Sequence, residues 1–337
     1  MKKKLFLVLI STFTLRATAW TPLQLELGPD AACLFNDKTD VYGLRLAVVG
    51  KNQNVYGFDL SLDRAIVNAN FSGLQFAAVC DVIRQGSGFQ LGVLHARSGA
   101  GFGGLQTSVL WAETDQLRGG QLSIYNDARS GTGLQLGLLN WTDDSFCGLS
   151  LAAVAVAGSI EPAAQIGLLW NSVSKASSGM QLGLIDIAEH YRGLQIGLVD
   201  WRGNGGGAQV GLYNDADNIS GLQVGVASIA HRICGIQLDL LGSGAYEVRG
   251  VQSGAVNIAG KDGQLDGDVV GLQIGLLNRL GTLQGAQFGV LNDAQACHGA
   301  QIGLLNRTTE LSGLQLGLLN FSSAGGLRVS PGLNFAF

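Results

Sequence analysis

The chain has 337 residues, 51 of them glycine and only 4 proline, with 47% hydrophobic residues, 14% charged residues and a formal net charge of −4. Glycine at about twice its ordinary share, without a Gly-X-Y period or the proline that goes with one, excludes collagen. So apolar and weakly charged a composition argues against disorder, and the lack of a basic excess argues against a nucleic-acid partner.

From the N-terminus, residues 1–19 read as a secretory signal. Lys2, Lys3 and Lys4 precede an apolar stretch over residues 5–15, and Ala17-Thr18-Ala19 offers a small-residue cleavage site before Trp20. Removing this segment leaves 17 basic against 25 acidic residues, a net charge of −8. No later run of 18 or more apolar residues predicts a transmembrane helix. The five cysteines (Cys33, Cys80, Cys147, Cys234 and Cys297) stand singly, which is neither a disulfide framework nor a zinc site.

Residues 20–337 are predicted to form a single repeat β domain. A flanking strand is expected near residues 23–27. From Gly43 to Asn320 follow 19 copies of a unit best represented by Gly313-Leu314-Gln315-Leu316-Gly317-Leu318-Leu319-Asn320. The copies start 14 to 16 residues apart, with one interval of 21 after Gly250. Repetition at a fixed short period is the mark of a stacked or arrayed architecture. Position 1 is glycine in 18 units, and position 3 is glutamine in 16, the exceptions being Arg45, Asp59 and Ser150. Position 5 is Gly, Ala or Ser in 18, while positions 2, 4 and 6 are mostly aliphatic. Alternation with period two predicts a strand with one aliphatic face and one Gly-Gln-Gly face. Position 8 is Asn or Asp in ten units and opens a polar stretch, such as Asp215-Ala216-Asp217-Asn218, read as a turn. A last strand is expected over residues 327–337.

Two architectures suit so many identical strands. The leading expectation is an all-β antiparallel meander of about 20 strands closed as a large outer-membrane-type β-barrel. Its leucines would face lipid, and its glutamines and small residues would line the interior. Trp111, Trp141, Trp170 and Trp201, at or next to position 8, and Tyr42, Tyr56 and Tyr191, just before strands, would form the interfacial girdles. The alternative is a parallel β-solenoid with leucines stacked inside and glutamines as an outer stripe. Against it, the spacers are too polar to supply an opposing core face, as in Asp143-Asp144-Ser145 and Gly203-Asn204-Gly205. In its favour, the spacing shows no alternation of short turns and long loops, and 19 units plus two flanking strands make an odd count.

Other motifs carry little chemistry. Gly99-Ala100-Gly101-Phe102-Gly103-Gly104 matches the dinucleotide fingerprint in letters, but no amphipathic helix follows it. The histidines (His95, His190, His231 and His298) lie in separate units with no metal-ligand spacing. The acidic stretches Asp215-Ala216-Asp217 and 262–268 follow no known calcium loop. The glutamine column could form a continuous amide ladder. No catalytic, cofactor-binding or metal-binding residue is predicted.

The tandem units from Gly43 to Asn320 resemble those of bacterial surface-repeat proteins with GLQxGLxN repeats, found in bacteria with two membranes. So do the segments Val41-Tyr42-Gly43-Leu44-Arg45-Leu46 and Val55-Tyr56-Gly57-Phe58-Asp59-Leu60, and the ending Pro331-Gly332-Leu333-Asn334-Phe335-Ala336-Phe337. The resemblance implies export and residence in the outer membrane or at the cell surface, and it transfers no site residue. A weaker similarity, through Gln-x-Gly-x-x-Asn (Gln135 to Asn140, Gln315 to Asn320), is to curli-type amyloid subunits, whose repeats are longer and far poorer in leucine. The expectation is a non-enzymatic envelope protein, a pore or structural component with outer-membrane lipid as partner. The alternative is a surface-exposed solenoid used for adhesion or matrix binding.

Overall fold

The computed structural model describes residues 20–28, 33–260 and 266–337. The signal-segment reading of residues 1–19 and most of the acidic stretch after Gly260 lie outside the described residues. By its internal contacts the chain divides into two compact units, one ending at Asp143 and the other Asp144–Phe337. Each is all-β and each is a parallel β-solenoid, in which one repeat unit makes one coil.

The coil follows from where the period of two breaks. In the coil starting at Gly299, Gln301 is buried and Ile302 half-buried, and then two successive leucines, Leu304 and Leu305, both face outward. Two neighbours on the same side make a corner, and the chain comes back with Asn306 and Thr308 buried. A second outward pair, Thr309 and Glu310, makes the next corner, and Leu311 turns inward to start the following coil. Each coil thus has a long limb, from position 13 to position 6 of the next unit, and a short limb over positions 8–10. The residues read as a turn are the short limb. It needs only two small inward side chains to face the long limb.

Coils stack in parallel and in register. In the first unit Gln75 pairs with Gln90, Gln90 with Gln106, and Gln121 with Gln135. In the second, Gly193 pairs with Gly207 and Gly207 with Gly221, carrying Gln195, Gln209 and Gln223 into one column. The corners join the ladder too, so extended backbone runs unbroken over Asp268–Ala324, several coils in succession. Parallel pairing overturns the antiparallel meander and the barrel, and with them the lumen that a pore requires.

The interior is divided into an amide end and an apolar end. At the amide end a glutamine that follows another in the column donates back to it, for example Gln301 to Gln287 and Gln315 to Gln301, both at 2.8 Å. The asparagines of position 8 donate the other way, Asn292 to Asn306 and Asn306 to Asn320, both at 2.8 Å. The two columns therefore run with opposed amide dipoles. At the apolar end, positions 10 and 13 build a continuous core that includes Ile219, Ile233, Leu280, Leu283 and Leu311. In the first unit, Val41, Val55, Val67, Phe71, Val82 and Phe102 form the corresponding core.

This reverses the sides expected for a solenoid: glutamine is inside and leucine outside, the sidedness expected of the barrel. The physical reason is width. An interior lined by glycine at positions 1 and 5 lets the limbs approach closely, and flat amides that bond to their copies above and below fill the gap. Asn306, part of an Asn-x-Thr triplet, is fully buried and engaged in this column.

Position 1 is built for glycine, with Ala163 the one exception. In 18 units it has φ between +108° and +157°, and a Cβ on Gly285 would overlap the carbonyl oxygen of Gly271 below it. A column of close backbone approaches keeps consecutive coils in step.

The N-terminal end of the first unit and the C-terminal end of the second are each covered by a strand. Trp20–Glu26 pairs in parallel with Asp40–Asn52, and Glu26 bridges antiparallel to Cys33. At the C-terminus, Val329–Ala336 turns back antiparallel on the last coil, pairing Leu333 with Leu316. Its Pro331 falls at a register shift, where a missing N–H is tolerated.

Candidate interaction surface

With glutamine inward, positions 2, 4, 6 and 7 have only solvent to face. The position-6 corner is the most open: Leu168 is 70% exposed, Leu240 70%, Leu276 62% and Leu318 68%. Behind it, Leu241, Leu291, Leu305 and Leu319 of position 7 and Leu238 and Leu316 of position 4 are exposed as well. In the second unit ten coils from Gly179 to Gly313 carry this face, with Val226-Ala227 and Ala255-Val256 half-buried in place of exposed leucines in the coils at Gly221 and Gly250. At a strand spacing of ~4.8 Å and a rise of ~3.3 Å per residue, the face is about 45 Å long and 14 Å wide. A contiguous apolar surface of that size exceeds what soluble monomers ordinarily leave bare.

In the second unit Trp170 and Trp201 stand at the edge of this face, and the coils from Gly221 to Gly299 carry no tryptophan there. All five tryptophans (Trp20, Trp111, Trp141, Trp170 and Trp201) are between 41% and 53% exposed. Trp111, Trp141, Trp170 and Trp201 stand just past the leucine corner, where the short limb begins. In the first unit, His95, Trp111 and Tyr125 form a ring column with centroids 5.1 and 5.6 Å apart, and Tyr42 stacks on Tyr56 at 4.7 Å. The outer side of the short limb is mixed: Trp201, Ile229, Ile258 and Phe321 are exposed there beside the charged Arg279, Asp293 and Arg307. There Asp293 lies 3.5 Å from Arg279 and 3.9 Å from Arg307, while at the following corner Glu247 lies 2.9 Å from Arg249. Such exposed pairs contribute little stability.

The residues singled out in the sequence are dispersed. His95 lies 3.6 Å from Glu113, His231 stacks on Tyr246 at 5.3 Å, and His190 and His298 are exposed in other coils. Gly101–Ser108, the second half of the fingerprint-like glycine run, is a strand within the coil. Among the described residues, no group of three or more His, Cys, Asp or Glu side chains could hold a metal, and no helix is long and apolar enough to cross a membrane. All five cysteines are free; burial pushes the Cys297 thiol up to about 11.

Two exceptions to the glutamine column prove to be partners. Arg45 and Asp59 are both fully buried, with Arg45 Nε 2.7 Å from Asp59 Oδ1, and Gln75 donates to Asp59 Oδ2 at 2.8 Å. In the first unit every glutamine from Gln75 to Gln135 donates toward the N-terminus, so the amide chain ends on this carboxylate. Arg45 neutralises it. The signal was present in the sequence as Arg and Asp at position 3 of successive units.

No family model, curated protein or solved structure matches the chain. Its function is therefore argued from this surface.

Proposed function

We propose that the chain is a non-enzymatic component of a bacterial cell envelope, a surface-exposed β-solenoid that attaches through its leucine face to lipid. One observation carries the reading: a long outward apolar surface, mostly leucine, with Trp170 and Trp201 at its edge and a polar opposite corner, as at Asp217-Asn218 and Thr309-Glu310. That arrangement is the β counterpart of an interfacial amphipathic helix, which lies in the membrane plane with aromatic residues at headgroup level. The resemblance to surface-repeat proteins supports the envelope location. A solenoid lying on a membrane leaves its polar corner free for adhesion, the role expected of a surface-exposed repeat array.

The test is flotation of the chain with phosphatidylcholine vesicles, read together with tryptophan emission. Co-flotation with a blue shift, quenched by lipids brominated near the headgroup, is the expected result. A chain that stays at the bottom of the gradient with unshifted emission would sink the proposal. So would a stable lipid-free dimer with the same tryptophans already shielded, because the leucine face would then belong to a second copy.

A further inference from the structure

The asparagine column of the second unit contains an interruption. Where coils carry asparagine, one amide hydrogen passes forward to the next asparagine and the other goes to a backbone carbonyl, as Asn306 does with Asn320 at 2.8 Å and Leu316 O at 3.0 Å. Two successive coils instead carry Asp186 and Asp200, both fully buried. Asn171 donates to Asp186 Oδ1 at 2.6 Å. Beyond the pair, Asn214 spends its hydrogens onward, on Val224 O at 2.9 Å and Ser228 Oγ at 3.1 Å. Carboxylates have no hydrogen to pass. Four buried oxygens are accordingly left without a donor: Oδ2 of Asp186, both carboxyl oxygens of Asp200, and Oδ1 of Asn214.

Those oxygens face one another in two pairs. Asp186 Oδ2 and Asp200 Oδ1 both lie over Gly197, 3.2 and 2.6 Å from where a Cβ would stand. Asp200 Oδ2 and Asn214 Oδ1 both lie over Gly211, each 3.0 Å from the corresponding point. Two facing pairs lack two hydrogens. We infer that Asp186 and Asp200 form a proton-binding site inside the solenoid. One proton bridges the two carboxyls, and a second, on Asp200 Oδ2, donates to Asn214. With both in place the forward ladder from Asn171 to Ser228 is complete.

The surroundings agree. The charged group nearby is Arg202, itself buried, whose guanidinium donates to Gln195 Oε1 at 2.9 Å, Gly206 O at 3.2 Å and Ala208 O at 3.1 Å, and lies 5.4 Å from the centre of the Tyr191 ring. Gln181, Gln195 and Gln209, on the facing limb, are neutral. The bridging proton leaves Arg202, Asp186 and Asp200 with no net charge, and without it the interior holds an uncompensated carboxylate; the second proton is held by the hydrogen bond to Asn214 and leaves the Arg202 charge to its three acceptors. Burial pushes Asp200 up to about 7, helped by Asp186 and opposed by Arg202, and burial pushes Asp186 up to about 6. An unfolded aspartate titrates near ~3.9. Between about pH 4 and pH 7 the folded chain holds protons that the unfolded chain has released. Stability from this site is therefore present at acid pH, falls as pH rises through that window, and is lost above it.

The experiment compares the full chain with the Asp186→Asn/Asp200→Asn double variant, in which amides supply the missing hydrogens at every pH. The variant is expected to unfold several degrees above the parent at pH 8 and to coincide with it at pH 4.5. Infrared spectra at pH 6 should show a protonated-carboxyl stretch in the parent that weakens in Asp200→Asn alone, a readout that stands even if the double variant folds poorly. A stability difference independent of pH, or no such stretch at pH 6, overturns the proposal. Stabilisation of the parent at pH 8 by calcium, reversed by a chelator, also overturns it and makes the column a cation site.

Discussion

At position 1 of the repeat the backbone leaves no room for a side chain, and the effect of adding one can be isolated. Gly285→Ala combines positive-φ strain with overlap on Gly271, and is expected to cost about 3 kcal/mol or more by denaturant unfolding. Gly244→Ala is the control: a Cβ there meets nothing closer than 3.8 Å, so the change should stay within about 0.5 kcal/mol. Equal effects at the two sites would mean that the glycine column does not set the coil spacing. The buried amides allow a second test. Gln287→Ala removes a group that donates to Gln273 at 2.9 Å and accepts from Gln301 at 2.8 Å. Orphaning both neighbours should cost about 1–3 kcal/mol in the same assay. A neutral Gln287→Ala would contradict a buried ladder.

At the scale of the coil, the sequence made the long limb plain and hid the short one. Gly, Gln and Gly alternating with Leu announce a strand with two unlike faces, and that is what positions 1–6 form. The alternation cannot say which face is inside, because lipid and core both favour leucine. Two cues bear on it. The doubled Leu304-Leu305 breaks the period and marks a corner, and Ile219, Ile233 and Leu283 recur at position 13, where a solvated turn would have no use for them. Asp186 and Asp200 were readable only as variants of an asparagine; their meaning depends on stacking two coils that are 14 residues apart in the chain. The Arg45–Asp59 pair offers a test at this scale. Arg45→Met strands a buried carboxylate and should cost about 3–5 kcal/mol. The double change Arg45→Gln/Asp59→Gln extends the glutamine column by two members and should recover most of that loss. A double variant no more stable than Arg45→Met would show that the pair does more than end the ladder.

For the whole molecule, the apolar surplus lies outside the coils. An interior of amides, glycines and one narrow apolar end stabilises the stack, and the leucines are left for a partner. Replacing Leu276, Leu304 and Leu318 together by serine removes three exposed groups that contact no core, so the unfolding midpoint should change little. Each buried leucine contributes about 1.5–3 kcal/mol of transfer free energy, so vesicle affinity should fall by more than tenfold. Unchanged affinity in the triple variant would move the attachment surface elsewhere. The covered C-terminal end bears on the curli-like alternative: an antiparallel strand with a proline covers the final coil, which works against end-to-end growth into a fibre.

The fold rests on consecutive coils stacking in parallel with glutamine inside. The most direct test is thiol cross-linking of two cysteine pairs placed in a background lacking the five natural cysteines. Parallel stacking sets Ala208 beside Leu222. An antiparallel hairpin turning at Asp217-Asn218 would set Ala208 beside Ala227 instead. The account predicts rapid cross-linking of Ala208→Cys with Leu222→Cys and none of Ala208→Cys with Ala227→Cys; the opposite pattern would contradict it.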